Sequence, residues 1–254
     1  MPALPAIFQK IQAWPLHALF EAAAYFSAYR YFVYLRDRQG DAISTENRLW
    51  ILVGAAAGAL LFSRGLAWLE NPAFFAQPRV LALALLSNKT IVGGLLGGLF
   101  GVELAKKFLG VKTSSGDLMT YPIILGMMIG RVGCLAAGLQ DATYGNPTGL
   151  FWGIDFGDGV RRHPTNLYEI AFLGFLWLAL REIESRRQLA NGARFKIFLI
   201  AYLAFRFLVE FLKPFPDFFL GLSAIQLACL LGMLYYVREI LWPRNLFVPQ
   251  SEGR

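Results

Sequence analysis

"KTIVGGLLGGLFGVE", Lys89 to Glu103, sets five glycines inside an apolar run, although each glycine in a helix interior costs roughly 1 kcal/mol relative to alanine. A loss repeated five times needs an offset. Two would serve: a second helix packed nearly backbone to backbone, or a ligand that approaches the main chain directly. Gly93, Gly97 and Gly101 recur every fourth residue, as do Gly94 and Gly98. Two adjacent ridges of one helix therefore lack side chains, the pattern of close helix contact in a bilayer. Gly126 and Gly130, with the same spacing, are expected to add reciprocal close contact.

The remaining composition fits that setting. The 254 residues are 56% hydrophobic, with 22 Phe and 6 Trp, and only 16% are charged, against about 25% in ordinary soluble domains. Mean hydropathy is +0.48. A hydrocarbon core of about 30 Å takes about 20 mostly apolar residues per helix. Seven such stretches stand near 15–35, 48–69, 85–105, 118–138, 165–182, 195–213 and 220–242. The expected fold is all-α: a polytopic transmembrane helical bundle of about seven spans in a single integral domain, 1–254.

Lys and Arg are retained on the cytoplasmic side, which orients the bundle. Arg36, Arg38 and Arg48 flank the first connection, Lys106, Lys107 and Lys112 the third, and Arg181, Arg186, Arg187, Arg194 and Lys196 the fifth. The others are poorer: Arg79 and Lys89 in the second, Asp141, Asp155, Asp158, Arg161 and Arg162 in the fourth, Lys213 and Asp217 in the sixth. The N-terminus is then outside and the C-terminus cytoplasmic. The net charge of +7 reflects this topology and attraction to anionic lipid. No basic-aromatic nucleic-acid motif occurs. "MPALPAIFQKIQAWPLHALFEAAA" has no compact basic region, apolar core and cleavage site in sequence, so it reads as retained. Cys134 and Cys229 are too few for a disulfide framework, and their spacing makes no metal motif. They read as buried, inert thiols.

An ion within a span costs several kcal/mol unless it is paired or faces a wet cavity. Arg131 lies seven residues before Gly138, at the outer end of the fourth span, and Arg206 seven before Lys213, at the outer end of the sixth. At about 1.5 Å per residue both start roughly 10 Å below the outer surface. Each has two readings. It pairs with a carboxylate, and Arg206 has Glu210 one turn away; or the two guanidinium forks hold a phosphate, an anion their planar geometry suits.

The fourth connection, "GLQDATYGNPTGLFWGIDFGDGVRRHPTNLYE", is the longest and most polar, punctuated by Gly, Pro, Asn and Asp. Tyr144, Phe151, Trp152 and Phe156 suit a lipid interface. Residues 139–164 are expected to form an external cap over a cavity at membrane level. His163 reads equally as a general base or as a helix cap or structural hydrogen-bonding group.

At these residues the chain resembles the bacterial prolipoprotein diacylglyceryl transferase family. The matching pieces are "VGGLLG" at Val92 to Gly97, "GRVGCLAAG" with "YG" between Gly130 and Gly145, "RHPTNLYE" at Arg162 to Glu169, and "YLAFRFLVEF" at Tyr202 to Phe211. They occur in family order over the last two-thirds of the chain. The resemblance implies a multi-pass enzyme of the bacterial inner membrane with no metal or soluble cofactor. Its partners would be membrane lipids, above all phosphatidylglycerol, and the lipobox segment of a preprolipoprotein. The enzyme would move a diacylglyceryl group from that lipid to the lipobox cysteine thiol, releasing glycerol 1-phosphate.

By the same resemblance Arg131 and Arg206 match essential arginines, Glu210 an essential carboxylate, Tyr202 a tyrosine important to activity and Gly145 a critical glycine. His163, Pro164, Leu167, Tyr168 and Glu169 match the motif that opens the fifth span. Gly93 and Gly94, beside the proposed lipid chamber, and Tyr168 are further expected substrate contacts. Val92 stands where the family has histidine, Cys134 where it has asparagine, and Asp141 is the nearest acid to a family glutamate. Glu21 falls where the family has a first-span tyrosine. With a histidine replaced by valine, proton removal from the thiol falls to His163, Glu21 or Asp141. Two other functions stay open: transfer to a different acceptor, and lipid binding or translocation without chemistry.

Overall fold

The computed structural model describes residues 6–70, 89–141, 143–214 and 218–248, with side chains from His17 onward. Arg79, Asp217 and the beginning of the expected third span lie outside the described residues. Among the described residues, seven longer helices overlap the seven apolar stretches: α1 (Ala6–Gln39), α2 (Thr45–Leu69), α3 (Ile91–Leu109), α4 (Asp117–Ala137), α5 (Thr165–Arg186), α6 (Ala193–Glu210) and α7 (Ala224–Tyr235). A short α8 (Val237–Leu241) follows, and a two-stranded antiparallel ribbon, β1 (Ile154–Asp155) with β2 (Arg161–Arg162), interrupts the α4–α5 connection. Among the described residues the regular structure is helical apart from this ribbon and isolated bridges. Two described helical stretches, Thr45–Leu69 and Asp117–Asp141, are long and apolar enough to cross a membrane, each with a hydropathy of 1.7.

Several ends differ from the sequence expectation: the first helix, expected over 15–35, runs from Ala6 to Gln39, and the last two stretches differ more in form. The last stretch, expected over 220–242, starts later and is broken. Leu220 and Gly221 turn at φ 54° and 73°, and the helix begins only where Ser223 and Gln226 cap each other's backbone. At Tyr236 the backbone leaves helical geometry, dividing α7 from α8. The sixth stretch, expected to reach residue 213, stops at Glu210. The following turn offers its Leu212 carbonyl to the Asn146 N–H at 2.7 Å.

The contacts group the chain into two units. One contains α1, α4, α5 and the ribbon. In it α1 packs along α4: a Cβ at Gly126 would stand 3.3 Å from the Ala28 Cβ, and one at Gly133 2.7 Å from the Phe20 Cβ. Gly130 meets nothing within 4 Å, so α4 uses its glycines against α1 and not as a matched pair. Tyr121, fully buried, ties α4 to α5. Its ring lies 4.8 Å from that of Trp177, and its hydroxyl donates to Glu184 at 2.8 Å. In the ribbon turn, Asp155 Oδ1 accepts from the backbone N–H groups of Gly157, Asp158 and Gly159. Asp158 then receives both Nη groups of Arg162 at 2.7 Å.

The other unit contains α2, α3, α6, α7 and α8, and its centre answers the glycine question. A Cβ on Gly58 would lie 2.1 Å from the Gly97 carbonyl oxygen, and one on Gly101 2.0 Å from that of Gly54. Gly97 and Gly101 therefore lie directly on Gly58 and Gly54 of α2, and Gly93 lies against Phe62 and Ser63 of the same helix. Close backbone approach increases dispersion contacts and admits Cα–H···O contacts of perhaps 0.5–1 kcal/mol each, which offsets the propensity loss. Gly232 extends the principle to α7, where a Cβ would reach 2.7 Å from Leu203 of α6 and 2.8 Å from Leu96 of α3. Arg48 fixes the start of α2: buried, it donates to both carboxylate oxygens of Asp41 at 2.8 and 2.5 Å, and to the Ser115 carbonyl at 3.0 Å. Many large apolar side chains point outward, among them Phe26, Leu61, Phe108 and Phe175, as suits a lipid solvent.

Two expectations follow. Gly58→Leu should lower the thermal midpoint of the purified protein by an amount equivalent to at least about 1–3 kcal/mol, the usual range for overpacking. Gly65→Ala, where nothing lies within 4 Å, should not. In the ribbon, the hydrogen bonds from Arg162 hold the Asp158 carboxyl below its ordinary value. This contribution to order is complete above about pH 4, the ordinary aspartate value, and is lost as pH falls through the lower folded value. Amide exchange at Gly157, Gly159 and Val160 should be flat from neutral pH to about 4 and accelerate, relative to intrinsic rates, only below it.

Candidate active site

Buried charge marks each unit. Arg131 sits near the end of α4, seven residues before the Gly138 cap. The side chain is 6% exposed, its Nε is 2.8 Å from Glu169 Oε1, and Glu169 is 2% exposed. The acid comes from the first turns of α5, one residue after Tyr168. Arg131 Nη1 also reaches Cys134 Sγ at 3.9 Å, one turn further along α4. Glu169 was legible only as part of the "RHPTNLYE" motif, because nothing in its spacing from Arg131 shows that the two meet.

The start of α5 draws several expected residues together. Pro164 occupies the N-cap position with no side-chain cap, so His163 does not cap the helix. Instead His163 Nδ1 lies 3.2 Å from the Tyr168 hydroxyl, which also accepts from the Trp152 indole N–H at 2.7 Å. Gly145 lies against this histidine: its N–H donates to the His163 carbonyl at 2.9 Å. A Cβ there would stand 2.6 Å from the His163 Cβ and 2.8 Å from the Leu212 carbonyl oxygen. No larger residue fits without moving the motif. Beneath it, buried Thr165 and Asn166 both bond Thr143, at 2.7 Å to its carbonyl and 3.1 Å to its hydroxyl. Thr143 in turn donates to Asp141 at 2.9 Å. Sequence reasoning missed this relay, whose residue types are unremarkable taken singly.

In the second unit, Tyr202, Arg206 and Glu210 lie on one face of α6 at successive four-residue steps, all buried. Arg206 Nη2 donates to Glu210 Oε2 at 2.6 Å, with both side chains 4% exposed. Tyr202 stacks on Phe198, ring centroids 6.1 Å apart. Two polar groups unforeseen from the sequence support this end. Gln226 donates to the Phe207 carbonyl at 3.2 Å, and Glu70 accepts from the Ile225 N–H at 2.7 Å, holding the start of α7 within electrostatic reach of Arg206 and Glu210.

Gly93 and Gly94 are at the start of α3, where Thr90 is the N-cap. Gly93 N–H donates to Thr90 Oγ1 at 3.2 Å and Gly94 N–H to the Thr90 carbonyl at 3.0 Å. Val92 is buried beside them and offers no proton acceptor. Glu21, a candidate acid–base group, accepts a long 3.4 Å bond from Tyr25. Each arginine thus carries a fixed acid partner. A guanidinium has five N–H donors, so pairing with one carboxylate is compatible with binding an anion.

The family model described as prolipoprotein diacylglyceryl transferase matches residues 7–242. Curated relatives named phosphatidylglycerol–prolipoprotein diacylglyceryl transferase include one from Bordetella parapertussis, 36% identical over 71% of this chain and 66% of the relative. Another, from Solidesulfovibrio magneticus, is 32% identical over 73% of this chain and 68% of the relative. A third, from Geobacter sulfurreducens, is 33% identical over 76% of each. The match to the Bordetella relative spans slightly less than two-thirds of that protein's length. With apolar helices in every expected stretch, the motif arginines buried against acids, and a family match reaching from α1 past α8, this chain belongs to the prolipoprotein diacylglyceryl transferase family.

Proposed function

We propose that this protein transfers a diacylglyceryl group from phosphatidylglycerol to the lipobox cysteine thiol of a preprolipoprotein. The sulfur–carbon bond forms as the carbon–oxygen bond to phosphate breaks, and glycerol 1-phosphate leaves. The reading is carried by the retention, in a matching family member, of Arg131 and Arg206 as buried cations each steadied by an acid. Each arginine is a preorganised cation of the kind that neutralises a phosphate and stabilises the negative charge growing on a departing group, the electrostatics that dominates many transfer reactions. Glu210 and Glu169 keep the guanidinium planes oriented, and Tyr202 completes the face of α6.

A cysteine thiol with a pKa near 8.5 needs help to become the thiolate nucleophile. His163, anchored through Tyr168, is the proton acceptor in this scheme, with Gly145 setting its position. Gly93 and Gly94 in one unit, and Tyr168 in the other, are each lipid contacts expected from the family resemblance. The protein works in the bacterial inner membrane with seven crossings, the N-terminus outside, the C-terminus cytoplasmic and residues 139–164 as the external cap. The coincidence of α1–α7 with the seven apolar stretches supports this arrangement. Val92 and Cys134, which replace family acid–base or polar groups, favour one second reading: the same lipid donor with a different acceptor.

Purified protein in phosphatidylglycerol nanodiscs, given a lipobox peptide, should yield lipidated peptide and glycerol phosphate. A labelled acyl-glyceryl product on another acceptor would favour the second reading. Movement of lipid between leaflets without product would refute both. Arg131→Ala should cost about 3–5 kcal/mol of stability, because it strands a buried carboxylate, and turnover should fall about 100- to 1,000-fold. Adding Glu169→Gln should recover much of the stability and none of the turnover. Parallel recovery of both would make the arginine structural only.

A further inference from the structure

Cys134 and Asp141, two positions where the chain departs from its family, come together with a third residue that the sequence did not single out. They lie seven residues apart, Cys134 in the last turn of α4 and Asp141 at the end of the 3₁₀ turn Gly138–Asp141 that follows the break at Gly138. Gly133 lets α1 close in beside them, its missing Cβ making room for Phe20. One turn earlier on α1 is His17. A ring nitrogen of His17, Cys134 Sγ and a carboxylate oxygen of Asp141 all lie within 4.8 Å of one another.

We infer that His17, Cys134 and Asp141 form a binding site for a divalent transition metal, with zinc the fitting ion. The donor set, imidazole, thiolate and carboxylate, is the one zinc accepts, at bond lengths of about 2.0–2.3 Å. Tetrahedral ligands at those lengths stand about 3.5 Å apart, so closing the present triangle needs side-chain movements of about 1 Å. Three protein ligands leave a fourth position for a water or an exogenous donor.

Three further observations point to an ion. His17 Nδ1 is shut off from solvent and has no hydrogen-bond partner among the described residues, an arrangement that costs free energy unless something ligates it. Asp141 is held from behind by the relay Asn166 to Thr143 to Asp141, the outer support that orients metal-binding carboxylates. Charge also balances. Thiolate and carboxylate together match a dication, and the neighbouring Arg131 is already matched by Glu169, so the ion adds no net charge in a medium where an excess charge is costly. The site borders Arg131, whose Nη1 lies 3.9 Å from the Cys134 sulfur, and rests on geometry within one unit.

Full-length protein purified in detergent, treated with chelator and dialysed against zinc, should retain a single equivalent. The cobalt(II) form should show a near-ultraviolet thiolate-to-cobalt band together with the intense visible bands of four-coordinate cobalt. Cys134→Ser should abolish the charge-transfer band, His17→Gln and Asp141→Asn should each weaken retention, and Thr143→Val should lower affinity about tenfold by loosening Asp141. Cys229→Ser should change nothing. Melting curves without metal show which variants are folded, and the conservative serine variant keeps the test open should another fail. The site is refuted if the folded wild type keeps no zinc after dialysis, or if its cobalt spectrum survives Cys134→Ser unchanged.

Discussion

A charge placed inside a membrane protein must be neutralised within a few ångströms, because neither lipid nor a packed helix interface replaces the water it has lost. Among the described residues three buried arginines obey that constraint, and each falls where a helix must be positioned. Arg48 against Asp41 and the Ser115 carbonyl fixes the entry to α2. Arg131 against Glu169 joins α4 to the opening of α5, and Arg206 against Glu210 stiffens the last turn of α6. The pairs are weak evidence for extra stability, since desolvation offsets most of the attraction. Their effect is on geometry: a stranded charge is so costly that the partner must be where it is.

Backbone contact supplies what ion pairs cannot. Lipid tails are as apolar as leucine, so helices in a bilayer associate through packing and not through exclusion of water. The crossing of Gly54 and Gly58 with Gly97 and Gly101 gives α2 and α3 an interface no larger residue could enter. Fixed α3 in turn receives α7 at Leu96 and Gly232. In the other unit, small residues of α1 and α4 do the same at Ala24, Ala28 and Gly126, and Gly133 brings α1 in at Phe20. Close packing thus also sets the stage for the polar groups, since His17 meets Cys134 and Asp141 only because α1 lies so near α4.

The departures from the family pattern acquire a physical meaning in this light. Val92 is buried apolar surface at the start of a helix whose first N–H groups are satisfied by Thr90. Cys134 lies within reach of Arg131 and of the His17–Asp141 pair. Arg131 and Arg206 keep their acid partners throughout.

Much of this protein was legible one residue at a time. Apolar runs of bilayer length located seven helices, the four-residue glycine spacing announced a bare ridge, and the position of Arg131 relative to Gly138 put a cation near a helix end. These are properties of local sequence, governed by helical rise and side-chain size. Spacing also paired Arg206 with Glu210, four residues apart on one helix. Tertiary structure alone decided the rest. It chose Gly54 and Gly58 as the surface facing the ridge, Glu169 as the partner of Arg131, Tyr168 as the partner of His163, and His17 as the neighbour of Cys134 and Asp141. Those encounters join residues from different helices, and no sequence separation encodes them. They depend on which faces two packed helices turn toward each other, and that is settled by the volume each side chain leaves or fills.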